Sequence, residues 1–346
     1  MALEPVIAVQ SKMGELEALR HTRDGVQPMV ELLDRLNGPK DQVLPVVVDA
    51  AVSLAERGRP LWVDAHRLTP ASGLGTTPGG AFERLEVMIE ERFGLLPPTG
   101  PALVPVVAED SSAEVLEKVA RLREHEDRPV VVRLRDITLP TAELVGRVGR
   151  VAELTSANDL HVVVDVGYVK AVTPLLLKSV VDTVRALNGW TSVTLLAGSV
   201  PTNSRTNYDT VTQDRHELGL WRDVNYWVAA PIRYGDYGVV HPASARQGSD
   251  SNARQPNPYL LYTIAGRRIA LRRQVDRSVS GAFARGFADL AGELVRSTAF
   301  AGRDYSWGDE RLERCSSGAD TAGSSSKWIA MATSHHIRHV VLETAA

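Results

Sequence analysis

Short runs of Val, Leu, Ile and Ala recur along the chain, separated by longer stretches in which apolar residues return every three or four positions. Runs of the first kind suit parallel strands covered on both faces, and the longer stretches suit crossover helices. The pattern predicts eight strands: Val6 to Gln10, Leu44 to Asp49, Leu61 to Asp64, Ala102 to Ala108, Val130 to Leu134, His161 to Val166, Ser192 to Ala197 and Tyr226 to Ile232. Helices are expected over Gly14 to Arg23, Gln27 to Leu36, Ala81 to Arg92, Ser112 to His125, Thr141 to Ala157 and Pro174 to Asn188. Asp110-Ser111-Ser112 and Thr173-Pro174 supply capping side chains and a first-turn proline. Between the second and third strands, Ala51 to Arg59 leaves room for only a short helix.

Eight strands alternating with helices give an α/β fold of the (β/α)8, TIM-like barrel type. A doubly wound open parallel sheet is the alternative. After the eighth strand the pattern changes. Ser244 to Pro258 reads as a polar loop, Tyr259 to Arg273 as a hairpin turning at Ala265-Gly266, and Gly281 to Ser297 as a helix. Ser316 to Ser326 is small and polar, and Lys327 to Leu342 is again apolar. The barrel is therefore expected over residues 1–242. Residues 243–346 form a C-terminal hairpin-and-helix decoration packed on it.

The length of 346 residues fits such a barrel with an appended segment. With 39 Lys and Arg against 42 Asp and Glu, the net charge is −3, and no basic field points to nucleic acid. The N-terminus carries no leader pattern, and no apolar run approaches a membrane span, so a cytoplasmic protein without membrane contact is expected. The single cysteine, Cys315, agrees with a reducing compartment.

In a parallel barrel the carboxyl ends of the strands converge on one mouth, where polar residues carry the most weight. Here the predicted strands end in Lys12, Asp49, Asp64, Glu109 with Asp110, Arg133 with Arg135 and Asp136, Asp165, Ser199, and Arg233 with Asp236. Asp165 closes the apolar run Val162-Val163-Val164 and needs a cation; Arg133, one strand earlier, is the expected partner, with Lys12 or Asp64 completing a network. A purely structural ion pair is the competing reading. The segment from Arg233 to Pro242 brings Asp236, Tyr237 and His241 together between Gly235 and Gly238, a grouping suited to acid–base work or to a polar ligand. A plain glycine turn is the bland alternative.

No metal site is predicted. His335 and His336 are adjacent and point apart, and the best remaining set for a divalent metal is the carboxylates Asp64, Asp165 and Asp236. Cofactors are unassigned. The glycine-rich stretch Gly73 to Gly80 lacks the Gly-Lys-Ser/Thr ending of a P-loop and reads as a loop over the mouth.

Several separated motifs bear on kinship: Lys12-Met13-Gly14-Glu15 with Ala18-Leu19, Gly198-Ser199-Val200-Pro201, Arg215-His216-Glu217, Gly235-Asp236-Tyr237-Gly238, Tyr262-Thr263, Ser306-Trp307-Gly308-Asp309 and His335-His336-Ile337. In order and spacing the chain resembles the phage beta protein family, whose members occur in phages and bacteria, from residue 6 to about 341. The resemblance brings no activity with it. It raises Glu217, Asp236, Tyr237, Tyr262, Trp307, Asp309 and His336 as motif positions, and implies that the C-terminal decoration folds over the mouth and that the protein takes part in phage–host conflict.

Two functions follow. In one, the chain is a hydrolase or lyase acting on a small polar or phosphorylated molecule. Asp165 or Asp236 then serves as acid or base, Glu217 is a further candidate for the chemistry, and Arg133 and Lys12 hold an anionic group. Asp64, Tyr237, His241, Tyr262, Trp307, Asp309 and His336 would line the site. In the other, the same mouth recognises a small ligand or a partner protein without chemistry.

Overall fold

The computed structural model describes residues 3–23, 25–34, 43–69, 74, 80–94, 99–125, 128–187, 189–202, 210–243, 257–321 and 323–345. Strands β1 (Val6–Gln10), β2 (Gln27–Glu31), β3 (Leu61–Asp64), β4 (Leu103–Ala108), β5 (Val130–Leu134), β6 (Leu160–Tyr168) and β7 (Ser192–Gly198) pair in parallel, each with the next. The short β8 (Val211–Asp214) stands apart, and β9 (Arg233–Asp236) pairs with both β7 and β1 to close an eight-stranded barrel. The open-sheet alternative is thereby excluded.

Helices α1 (Met13–Arg20), α2 (Val43–Ala55), α3 (Gly80–Phe93), α4 (Ala113–His125), α5 (Thr141–Thr155), α6 (Pro174–Ala186) and α7 (His216–Trp227) follow their strands. Two predicted elements exchange identities. Gln27 to Leu36, expected to be helical, supplies strand β2, and Leu44 to Asp49, expected as a strand, lies in α2. In α2 the buried positions Val47, Val48, Ala51, Leu54 and Ala55 form one helical stripe, a spacing that a strand cannot bury. Asp49 is therefore no strand end, and it pairs with Arg92 of α3 at 2.8 Å. The eighth strand is likewise displaced: Tyr226 and Trp227 end α7, and the strand is the polar segment Arg233–Asp236.

Alternation of side chains along the strands sorts the barrel interior into layers. Val6, Ala8, Met29, Trp62, Val104, Val106, Val131, Val163 and Leu196 face inward and form an apolar plug. One step further along the same inward faces come Gln10, Glu31, Asp64, Arg133 and Asp165, all buried. Intervening residues such as Ile7, Val9, Val30, Val63, Val132 and Tyr234 pack outward under the helices.

Beyond β9, the hairpin β10 (Tyr259–Ile264) and β11 (Arg267–Arg272) turns at the predicted Ala265-Gly266 and adds β8 as a third, antiparallel strand. Helices α8 (Ala282–Val295), α9 (Trp307–Ser316) and α10 (Ser325–Ala345) follow. A second core joins Leu260, Tyr262, Phe287, Leu312 and Trp328, with Phe287 stacked on Trp328 at 4.7 Å. Helix α10 lies along α1, and its Ile337 and Val340 enter the barrel's own outer core. The fit is close enough that a Cβ on Gly14 would meet Ser326 O at 2.2 Å, and one on Gly308 would meet Met331 O at 2.0 Å. The loops expected over residues 73–80 and 244–258 lie largely outside the described residues.

Candidate active site at the barrel mouth

Arg133 stands at the centre of the inward polar layer and donates from all three of its nitrogens. Nε donates to Asp165 Oδ2 at 3.0 Å; Nη1 donates to Asp64 Oδ2 at 2.6 Å and Glu31 Oε1 at 3.2 Å; Nη2 donates to Tyr237 Oη at 2.8 Å and lies 2.8 Å from Asp165 Oδ2. Tyr237 Oη in turn donates to Asp165 Oδ1 at 2.5 Å, and Gly167 N donates to the same oxygen at 2.9 Å. Arg135 also donates to Asp64, while Arg67 pairs with Glu31 at 3.1 Å. Burial acts to raise the Asp64 carboxyl, but Arg133 and Arg135 outweigh it and hold it below its ordinary value. Burial alone would lower the Arg133 pKa; its anionic surroundings push it well above the ordinary value instead.

The expected pairing of Arg133 with Asp165 and Asp64 is present, and Tyr237 joins it. Glu31 belongs to the same cluster; the apolar pattern predicts a helix over its strand and so places no strand end there. All three nitrogens of Arg133 thus donate to groups of the protein itself.

A second set of polar groups runs along the same rim from β1 to β5 and is not satisfied. Both side-chain atoms of Gln10, Oε2 of Glu15, Oε2 of Glu109, and Nε and Nη1 of Arg135 are buried without a hydrogen-bond partner. Gln10 lies opposite Glu31 in the β1–β2 register, Arg135 reaches Asp64, and Glu109 Oε1 accepts from the backbone N–H groups of Arg135 and Asp136 at 3.2 Å each, so the set is continuous. Glu15, on α1, accepts from Gln10 N at 3.2 Å. Burial raises its carboxyl to about 7 against the pull of the Lys12 charge, with the Glu31 charge adding to the rise. Glu15 was visible in the motif that begins at Lys12, but nothing in the sequence marks it as buried. Lys12 itself occupies the N-cap position of α1, half-buried.

Asp236 lies elsewhere. Tyr237 faces the barrel interior, so its neighbour Asp236 points outward with Tyr234. There Asp236 accepts from Tyr234 Oη at 2.6 Å and from His336 Nε2 at 2.9 Å, with Arg215 Nη2 at 3.6 Å. Burial would raise its carboxyl, but His336 and Arg215 hold it at about 2. The carboxylate set Asp64, Asp165 and Asp236 is therefore not assembled around one point. No group of three or more His, Cys, Asp or Glu side chains among the described residues is arranged to hold a metal ion.

The remaining motif residues continue this outer network. Glu217 accepts from Ser199, from Arg215 at 3.2 Å and from Arg268 at 2.7 Å. Thr263 meets both adjacent histidines: its hydroxyl lies 2.7 Å from His336 Nδ1, and its carbonyl 2.8 Å from His335 Nε2. His335 Nδ1 faces Asp309 Oδ2 at 2.9 Å, and Tyr262 donates to Asp309 Oδ1 at 2.7 Å. Both ring nitrogens of His335 thus face oxygen atoms of the protein. Trp307 stacks on His21 beside α1, with centroids 4.2 Å apart. His241 packs on Tyr168 at 4.7 Å and accepts from Ala243 N through Nδ1 at 2.9 Å, and burial lowers its pKa. Glu217, Asp236, Tyr262, Asp309 and His336 therefore tie the β10–β11 hairpin, α9 and α10 to the outside of the barrel, on the opposite side of β9 from the Arg133 cluster.

The Beta protein family model matches residues 5–342. The chain belongs to this family. Its motif residues fall into two groups, with Tyr237 and Glu15 at the mouth and Asp236, Glu217, Tyr262, Asp309 and His336 in the outer network. No curated protein sequence matches the chain. Among solved structures, a candidate lyase/mutase from Burkholderia cenocepacia is similar, with 10% sequence identity, 69% of this chain and 77% of that chain covered, and a TM-score of 0.36. No helix among the described residues is long and apolar enough to cross a membrane.

Proposed function

We propose that the barrel mouth binds a small, polar, hydrogen-bonding molecule of low net charge and acts on it as a hydrolase or lyase, with Glu15 as the proton-transfer group. The observation that carries this reading is the run of unpartnered buried atoms on Gln10, Glu15, Glu109 and Arg135. Buried polar atoms are nearly always paired, and leaving one unpaired costs about 1–3 kcal/mol, so a continuous row of them marks a place where a ligand supplies the partners. The row offers both donors and acceptors. Its guanidinium is already shared with Asp64, which favours hydroxyl, amide or zwitterionic groups over a phosphate.

Glu15 suits general acid–base chemistry because a carboxyl near 7 changes protonation at ordinary pH. In this reading Arg133, Asp165, Asp64 and Tyr237 are positioning residues that hold the rim rigid. The free, buried Cys315 supports a cytoplasmic setting. A second reading rests on the internal neutralisation of Arg133: such a mouth also suits recognition of a ligand or partner protein without chemistry, as in a component of phage–host conflict.

The test begins with mass spectrometry of molecules that copurify with the protein, followed by hydrolase and lyase substrate panels. With a substrate in hand, Glu15→Gln should lower kcat about 100-fold or more without lowering the melting temperature. Asp236→Asn should leave the chemical step nearly untouched. Wild-type turnover in Glu15→Gln would remove Glu15 from the mechanism. A ligand that binds, loses affinity in Arg135→Met and is never turned over would establish the second reading.

A further inference from the structure

Beside the unpartnered rim, at the ends of β3 and β4, a cavity of about 360 Å³ opens between α3 and α4. Its walls are more apolar than polar: Leu68, Phe82, Val107 and Val115 stand there with the polar side chains of His66, Asp110, Ser111, Ser112 and Lys118. Two contacts join it to the mouth. His66, in the cavity wall, donates its backbone N–H to Asp64 Oδ1 at 3.0 Å, and Ala108, also in the wall, is the register partner of Arg133. Asp110 of the wall directly follows Glu109 of the rim. A cavity of this size lies within the range that holds small organic molecules, and an apolar lining with a few convergent polar groups at one edge is the usual form of such a site.

We infer that the ligand of the mouth is amphipathic: a neutral hydrogen-bonding head satisfied by Gln10, Glu109 and Arg135, joined to an apolar body that fills the cavity between α3 and α4. The inference rests on the reading of the mouth as a ligand site and narrows it to a substrate class. A fully polar metabolite would leave the apolar walls wet, and a pure hydrocarbon would leave the rim atoms unpaired.

The experiment uses the full chain and two homologous series of probes, the straight-chain primary amides from acetamide to octanamide and the matching 1,2-alkanediols, with binding followed by calorimetry. Affinity should rise about fourfold for each methylene added, until the tail fills the cavity and the gain stops. Ala81→Trp, which fills the cavity from α3, should abolish the dependence on chain length while the shortest probes bind as before. Arg135→Met should weaken all members of a series by a common factor. To guard against a misfolded variant, Ala81→Leu should show a shorter limiting chain length. Binding that is independent of chain length in the wild type overturns the inference and leaves the mouth reading standing. A chain-length dependence unchanged in both Ala81 variants overturns the placement of the tail. Failure of every amide and every diol to bind overturns both readings.

Discussion

Glu15 and Asp236 are both buried carboxyls, and their surroundings shift them in opposite directions. Glu15 titrates at about 7 in the folded chain against 4.5 when unperturbed, so between those values the folded state holds a proton that the unfolded state has lost. Stability therefore falls as pH rises through that window, by about 3 kcal/mol in total, and Glu15→Gln should flatten the slope. Asp236 titrates at about 2 against 3.8, so its contribution of about 2 kcal/mol is complete above pH 4 and is lost as pH falls toward 2. Urea unfolding at steps from pH 3 to pH 8 checks both signs; a Glu15→Gln slope equal to wild type between pH 4.5 and 7 would contradict the first. Sequence reading finds Asp64, Arg133 and Asp165 because each ends an apolar run. It cannot find which way Asp236 points, because one residue of shift in the predicted eighth strand reverses every side chain.

The elements were legible wherever one period dominates a segment. Strands β1, β3, β4, β5, β6 and β7 and helices α3 to α6 fall where the apolar pattern puts them, within a few residues. The exchange of β2 with α2 has a physical origin. Val46-Val47-Val48 looks like strand because β-branched residues favour pleated surfaces, and only the longer stripe through Leu54 and Ala55 reveals the helix. Strand β9 was misplaced because it carries Arg233 and Asp236, polar residues that no apolar-run criterion selects; His336 and Arg215 make Asp236 tolerable in the interior. Two family-motif glycines have a purely steric role at this scale. Gly14→Ala and Gly308→Ala should each cost about 1–3 kcal/mol, because the added methyl group meets the backbone of α10. Gly146→Ala, on the exposed face of α5 with nothing nearby, should instead gain about 0.5–1 kcal/mol. Equal effects at all three positions in chemical denaturation would refute the close packing of α10.

At the scale of the whole molecule, the ring of outer helices draws on both ends of the described chain. Helix α10 packs on α1, and its Ile337 and Val340 share the core of the barrel. Deletion of residues 325–345 should therefore yield a protein with no cooperative thermal transition; a sharp transition within a few degrees of the full chain would contradict this. The same arrangement bears on how the chain is made. Asp236 finds His336 a hundred residues later in sequence, and Arg215 meets Glu343 across 128. On a ribosome adding roughly 5–20 residues per second, the eighth strand waits about 5–20 s before His336 is even synthesised. During that interval Asp236 has Tyr234 and Arg215 as partners but not His336, so the seal between the barrel flank and α10 is made only after all eight barrel strands have been synthesised.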